Sequence, residues 1–344
     1  DAQFEDIQVL LKEFPADILL SDIGTVAPLL FDDESRPPWA LYNSSVLFLS
    51  SSDTTTIGMP QGTNTSQLGR IRNSLVNFFA NKIIFKSLQT DISRYRRARG
   101  LPPLEHPYFD NFFLIPDLVL QGTPPCFEFP RRHMPANIHL VGPLLPDFPK
   151  KTPAFVWWSE LDSEKQVVHV TQGTVETDPE NLLIPSLKAL AEEENILVIA
   201  TTGGLPVDSI DLEPLPSNVR LASFIPHNVL LPRVDVMITN AGCGGVLLAL
   251  MNGVPLVTAG RTQDKIDVSA RVERCGAGID LKQNSPAPDV IRKAVLEILS
   301  TPRYSERARE LQQELATFNA PSKSADLLEA LARTKSTSSE EALA

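Results

Sequence analysis

Asn240, Gly242, Gly244 and Gly245 make a turn almost without side-chain bulk, between the continuously apolar stretch 234–239 and the helical pattern 246–251. A strand covered on both faces reads as such an unbroken apolar run. At the open end of the helix that follows, backbone N–H groups point outward and carry partial positive charge, which suits a phosphate or diphosphate. Glycine-rich turns also serve simply to reverse the chain, so the anion reading needs support from elsewhere. A dinucleotide site is disfavoured, because no first-strand Gly-x-Gly-x-x-Gly is followed by an acidic residue closing the next strand. The strand at 254–259 runs instead into Gly260 and Arg261. No Gly-Lys-Ser/Thr occurs, which excludes a P-loop.

The elements that would position this turn recur through the second half. Stretches 167–171, 196–201, 219–224, 234–239 and 254–259 are short and rich in Val, Ile and Leu, with amphipathic helical segments such as 182–193 between several of them. Such alternation predicts a parallel sheet with helices on both faces. Its ligand crevice is expected at the carboxyl ends of the strands, where Thr171-Gln172-Gly173-Thr174, Thr201-Thr202-Gly203-Gly204 and the Asn240 turn all fall. The first half is sparser: strands at 17–22, 40–49, 113–120 and 138–141, and one or two helices within 67–99. These are too few for a full doubly wound sheet. The Leu, Phe and Ile of 75–88 read as core packing in preference to a binding wall. The predicted organisation is a partial amino-terminal domain over 1–141, a Pro-rich linker at 142–153 and a ligand-binding domain at 154–300. Helices at 301–333 and a disordered polar tail at 334–344 complete it.

Composition narrows the classes. The 344 residues are 42% hydrophobic and 21% charged, enough for two domains with real cores. Lys and Arg number 31 against 42 Asp and Glu, a net charge of −11, which argues against a general nucleic-acid surface. Cys126, Cys243 and Cys275 are odd in number and far apart, so neither a disulfide framework nor a zinc site is expected, and a cytoplasmic setting is. No apolar run approaches membrane-spanning length.

From Asn240 through Gly253-Val254-Pro255 to Asp264, the residues resemble, without a gap, the donor-binding block of the family 1 UDP-sugar glycosyltransferases. The resemblance is nearest to a fungal and actinobacterial branch whose carboxyl half looks like macrolide and sterol glycosyltransferases. Stretches 167–204 and 270–278 and the Val141-Gly142-Pro143 tripeptide fit the same family. The resemblance implies a GT-B fold, two Rossmann-like doubly wound α/β domains facing across a cleft, the amino-terminal one incomplete here. It implies a UDP-sugar donor, a small hydrophobic acceptor and no metal. Phe224 then takes the place of the residue that stacks on the uracil ring, and His227 that of a polar neighbour of the base. Asn240 stands where many members carry a His on the diphosphate, while Gly242, Gly244 and Gly245 admit the phosphates, with Gly173 and Thr174 meeting them from the first strand. Asp264 and Lys265 occupy the place of the Asp-Gln or Glu-Gln pair that grips sugar hydroxyls. Leu248 departs from the pattern, since plant members hold the ribose there with a Glu.

Inverting transfer needs a base for the acceptor hydroxyl and neutralisation of the leaving diphosphate. In the family the base is a His oriented by an Asp. Asp22, closing strand 17–22 before Ile23-Gly24-Thr25, matches that Asp, although a turn-capping role is equally open to it. The base itself has no match: His106, His133, His139, His169 and His227 do not follow a first strand with a small-residue loop. Two expectations stand side by side. Either the chain, which begins at Asp1, is a fragment of an active hexosyltransferase, or it is a nucleotide-sugar-binding pseudoenzyme. A two-domain sugar-nucleotide epimerase is a weaker third, without its acidic motifs.

Overall fold

The computed structural model describes residues 2–32, 36–59, 66–145, 155–173 and 178–341, the side chains of 335–341 excepted. It forms two compact units, Asp1–Leu144 with Phe318–Ala344, and Leu145–Thr317. Most of the expected linker 142–153 lies outside the described residues.

The first unit opens with α1 (Ala2–Glu13), which the sequence reading left unassigned, and continues through β1 (Leu19–Asp22) and β2 (Trp39–Asn43). Two helices, α2 (Gln67–Phe79) and α3 (Lys86–Ala98), are joined by one wide helical turn at Ala80–Ile84. The short α4 (Asn111–Leu114), β3 (Leu118–Gln121) and β4 (Ile138–Leu140) follow. The strands form a parallel sheet in the order β1-β2-β3-β4. Trp39 is fully buried on β2 and its indole N–H donates to Ser21 Oγ at 2.9 Å, so the ring packs against Phe48, Phe112 and Phe113 without an unsatisfied donor.

Helix α2 sits in the opposite sense to a core helix. Its buried face carries Gly69, Asn73 and Asn77. The Asn77 side chain accepts from the Thr56 N–H at 2.8 Å and donates to the Ser51 and Thr54 carbonyls at 2.9 and 3.0 Å, and Asn73 donates to the Ser52 carbonyl at 3.2 Å. These amides satisfy a loop that has no strand to pair with, and in doing so they fix the rotation of the helix. Leu75, Phe78, Phe79, Ile83 and Ile84 are consequently each more than half exposed. The expectation that 75–88 is core packing is overturned, because polar hydrogen bonding at Asn73 and Asn77 outweighs the apolar stripe in setting which face turns inward.

The second unit comprises β5 (Gln166–Thr171), α5 (Leu183–Leu190), β6 (Ile196–Thr201), β7 (Val219–Ala222), α6 (His227–Leu230), β8 (Val236–Thr239) and α7 (Cys243–Met251). Then come β9 (Leu256–Thr258), α8 (Lys265–Cys275), β10 (Gly278–Asp280), α9 (Pro288–Ser300) and α10 (Pro302–Leu315). All six strands are parallel, in the order β10-β9-β8-β5-β6-β7. Strand β10 was not foreseen, and α9 starts at Pro288, which fits the first turn of a helix where no N–H is needed.

The last helix, α11 (Ala320–Glu341), begins after Asn319, whose Oδ1 accepts the Ser322 N–H at 3.2 Å. The expected helical group 301–333 is therefore divided. Helix α10 buries Tyr304, Ala308, Leu311 and Leu315 in the second unit, whereas Leu327, Leu328 and Leu331 of α11 pack on Leu118 and Leu120 of the first. Part of the tail expected to be disordered is helical, since 334–341 contains no Pro or Gly to stop α11.

If Asn77 pins α2, Asn77→Ala strands the Thr56 N–H and the Ser51 carbonyl and takes one of two donors from the Thr54 carbonyl, and should lower the unfolding free energy by about 3 kcal/mol in urea titration. A loss below about 1 kcal/mol would show that the helix orientation has another cause.

Candidate functional site

Strands β5 and β8 lie side by side while β6 and β9 flank them on opposite sides, so the chain leaves this pair in opposite directions. A crevice opens at such a switch, at the carboxyl ends of the strands. Four of the strand ends carry threonine in one aligned row: Thr201 pairs with Thr171, Thr171 with Thr239 and Thr239 with Thr258. Thr171 Oγ1 accepts the Gly173 N–H and Thr239 Oγ1 accepts the Ala241 N–H, both at 3.3 Å, the same local turn on either side of the switch. The sequence reading passed over this row, whose only signal is that each strand ends in the same hydroxyl residue.

Asn240 joins the two loops. Its side-chain Nδ2 donates to the Gln172 carbonyl, and Gln172 in turn accepts the Leu183 N–H at 2.7 Å and donates to the Asp178 carbonyl at 2.6 Å. Gly260 lies under the same turn with φ +117°; a Cβ there would come 2.7 Å from the Asn240 carbonyl oxygen and 3.0 Å from Lys265 Cδ. Only glycine lets the loops after β8 and β9 approach this closely.

Gly242 is the N-cap of α7 and brings no side-chain cap to it. A Cβ added at Gly244 would meet nothing within 4 Å, and at Gly245 only the Met237 methyl at 3.7 Å. The first turn of α7 is thus open from outside, with its dipole and N–H groups directed to the crevice. Among the expected donor residues the structure brings Gly173, Asn240, Gly242, Gly244 and Gly245 together at the switch. Thr174 lies outside the described residues. Phe224, in the loop after β7, is 56% exposed, a ring face available for stacking. The Gly204 N–H donates to the Ser223 carbonyl at 2.9 Å, tying the β6 loop to the loop bearing Phe224.

Asp264 precedes α8 and is half-buried. Lys265 is 4% exposed, its stem against Gly260 and its ammonium 3.2 Å from Thr262 Oγ1, which places a cation beneath the turn. Leu248 is half-buried on α7 and offers no polar atom in its side chain. Arg261 is held by Asp280 through two bonds of 2.7 and 2.8 Å.

His227 is half-buried and one of its ring nitrogens meets a buried partner. Its Nε2 is 3.4 Å from Nε2 of His169, which is fully buried in mid-β5. His169 Nδ1 lies 2.9 Å from the Ile199 carbonyl, and a carbonyl only accepts, so Nδ1 carries the proton and Nε2 is left to accept from His227. Burial, aided by His227, holds the His169 pKa down at about 3, and burial lowers His227 as well.

In the first unit, Asp22 ends β1 with Oδ1 accepting the Gly24 N–H at 3.1 Å and the Thr25 hydroxyl at 2.7 Å. The turn-capping role is present, and no histidine among the described residues hydrogen-bonds to it. Among these residues no group of His, Cys, Asp and Glu is arranged to hold a metal ion, and no helix is long and apolar enough to cross a membrane.

Residues 187–331 match the family profile of the Erythromycin biosynthesis protein CIII-like C-terminal domain. The 4'-demethylrebeccamycin synthase of Lentzea aerocolonigenes is 41% identical over 329 residues, 96% of this chain and 77% of that protein. The UDP-glucosyltransferase A1 of Starmerella bombicola is 35% identical over 65% of this chain, a match spanning 48% of that relative's length. The solved glycotransferase of kitacinnamycin superposes with a TM-score of 0.74 at 20% identity, covering 95% of this chain and 79% of its own, and so shares the fold. The chain belongs to the family 1 UDP-glycosyltransferases, enzymes of the GT-B fold.

With His169 near 3 when folded and near 6.5 when unfolded, the unfolded chain binds more protons between those values, so stability falls as pH drops below about 6.5. At about 1.4 kcal/mol per pH unit, the group should cost about 2 kcal/mol by pH 5. Urea midpoints at pH 7.5 and 5 should therefore differ less in His169→Gln than in the parent; equal differences would mean the imidazole is not held neutral.

Proposed function

We propose that the second unit binds the nucleoside diphosphate of a UDP-hexose and that the protein moves the hexose, with inversion, to a hydroxyl of a small lipophilic acceptor such as a sterol, lipid or secondary metabolite. The observation that carries the reading is the uncapped, unobstructed first turn of α7 at the β5/β8 switch. Departure of the diphosphate builds negative charge on its bridging oxygen, and fixed N–H dipoles already aimed at that position stabilise it without reorganising. Lys265, buried below the turn, adds a positive charge at short range. No metal is needed for this step. Phe224 stacks on the uracil, and Asp264 accepts hydrogen bonds from the sugar hydroxyls. His227, held at Nε2 by His169, stands beside the base-binding loop. Leu248 leaves the ribose to be held by other groups. Asp22 takes the place of the family's base-orienting carboxylate, its turn using only Oδ1. The relative in Starmerella bombicola is named a UDP-glucosyltransferase, which favours glucose.

Titration calorimetry with UDP and UDP-glucose should give binding, and Gly244→Val should weaken it at least tenfold while leaving folding stability within about 1 kcal/mol, because the added side chain meets only the ligand's space. Absence of heat with either ligand at millimolar concentration would remove the assignment. In any preparation that transfers sugar, turnover should persist in excess EDTA and the product anomer, read by NMR, should be inverted; Asp22→Asn should lower turnover at least tenfold with UDP affinity unchanged. A retained anomer or a metal requirement contradicts the mechanism.

A further inference from the structure

We infer that the outward face of α2, the wide turn after it and α3 is a docking surface for a lipid bilayer carrying anionic headgroups. Two independent observations meet there. The first is the pinned inversion of α2: with Asn73 and Asn77 hydrogen-bonded inward, Ile71, Leu75, Phe78 and Phe79 stand outward, and Ile83 and Ile84 extend the same exposed apolar surface. An exposed patch of large apolar side chains held in place by buried polar bonds marks a surface that meets something apolar.

The second is charge. Between residues 67 and 99 eight Lys and Arg face a single acid, Asp91, in a chain whose totals are 31 Lys and Arg against 42 Asp and Glu. Lys82 and Lys86, which flank the exposed Ile83 and Ile84 in sequence, line with Arg94 and Arg97 a groove of about 600 Å³ that Asn81 and Gln89 also border, and Arg70 and Arg132 border the exposed Ile71, Leu75 and Phe78. Arg94 also pairs with Asp91 at 2.9 Å, an exposed pair that contributes little. Apolar side chains beside cations on long flexible stems are what an interface-lying helix presents: the former enter the acyl boundary and the latter reach headgroup phosphates. A second protein copy would bring the same positive groove against itself, which the charges oppose. A neutral small molecule would leave four cations without a role.

The surface lies outside the donor site, so its test does not depend on UDP binding. The full chain is sedimented with vesicles of phosphatidylcholine alone and with 30% phosphatidylglycerol, at low and at 0.5 M salt. Partition onto the anionic vesicles should exceed that onto neutral ones at least tenfold and fall with salt. Lys82→Glu with Lys86→Glu, and separately Phe78→Ser with Ile83→Ser, should each reduce it at least tenfold with melting temperatures unchanged, since all four side chains are exposed. Hydrogen exchange on the unaltered chain should slow within 66–99 when anionic vesicles are added, a readout that needs no variant. Equal partition onto both vesicle types, or slowed exchange confined elsewhere, overturns the inference. So does a dimer that Phe78→Ser dissociates, which assigns the face to a second copy, or a raised KM for the acceptor with vesicle binding intact, which assigns it to the acceptor.

Discussion

One side-chain amide bridges the two loops that line the crevice at the β5/β8 switch. Parallel strands β5 and β8 send their connections to opposite sides, which opens a gap at their carboxyl ends that nothing in the sheet itself closes. Asn240 spans it by donating to the Gln172 carbonyl, and Gln172 anchors the other side to the start of α5. With both loops so tied, the first turn of α7 keeps a fixed aim, and fixed donors stabilise developing charge better than mobile ones. A histidine at 240 would add charge at the turn. Here the asparagine serves as a brace, and the nearby positive charge comes from Lys265 beneath the turn.

The architecture of the second unit was legible because its strands are buried on both faces, so Val, Ile and Leu dominate 167–171 and 196–201 without polar alternation. The three-residue β10 did not, since Gly278-Ile279-Asp280 carries almost none of that composition and is set by its fit against β9. Glycines announced the open helix turn, yet the row of threonines behind it was hidden, because a register across four strands exists only after the strands have paired. The tie between His227 and His169 was hidden for a related reason: the two are 58 residues apart in sequence.

The first unit taught a different lesson. The apolar stripe over 75–88 was rightly taken as helical and assigned to the wrong side. Periodicity reports which residues share a face, and it says nothing of which face is covered when the inner one must satisfy an irregular loop. Two asparagines settled that, and the sequence alone offered no way to rank their three loop bonds on Asn77 against a stripe of Phe and Ile.

The contact at Gly260 separates what in this site is free to diverge from what is not. The Asn240 carbonyl and the Lys265 stem occupy the space a side chain would need, so the spacing between adjacent crossovers is set by the absence of an atom. Phe224 and Leu248 brace neither loop with their side chains. A side chain can therefore change at 224 or 248 without disturbing that spacing, whereas at 260 even a methyl group would push the crossovers apart.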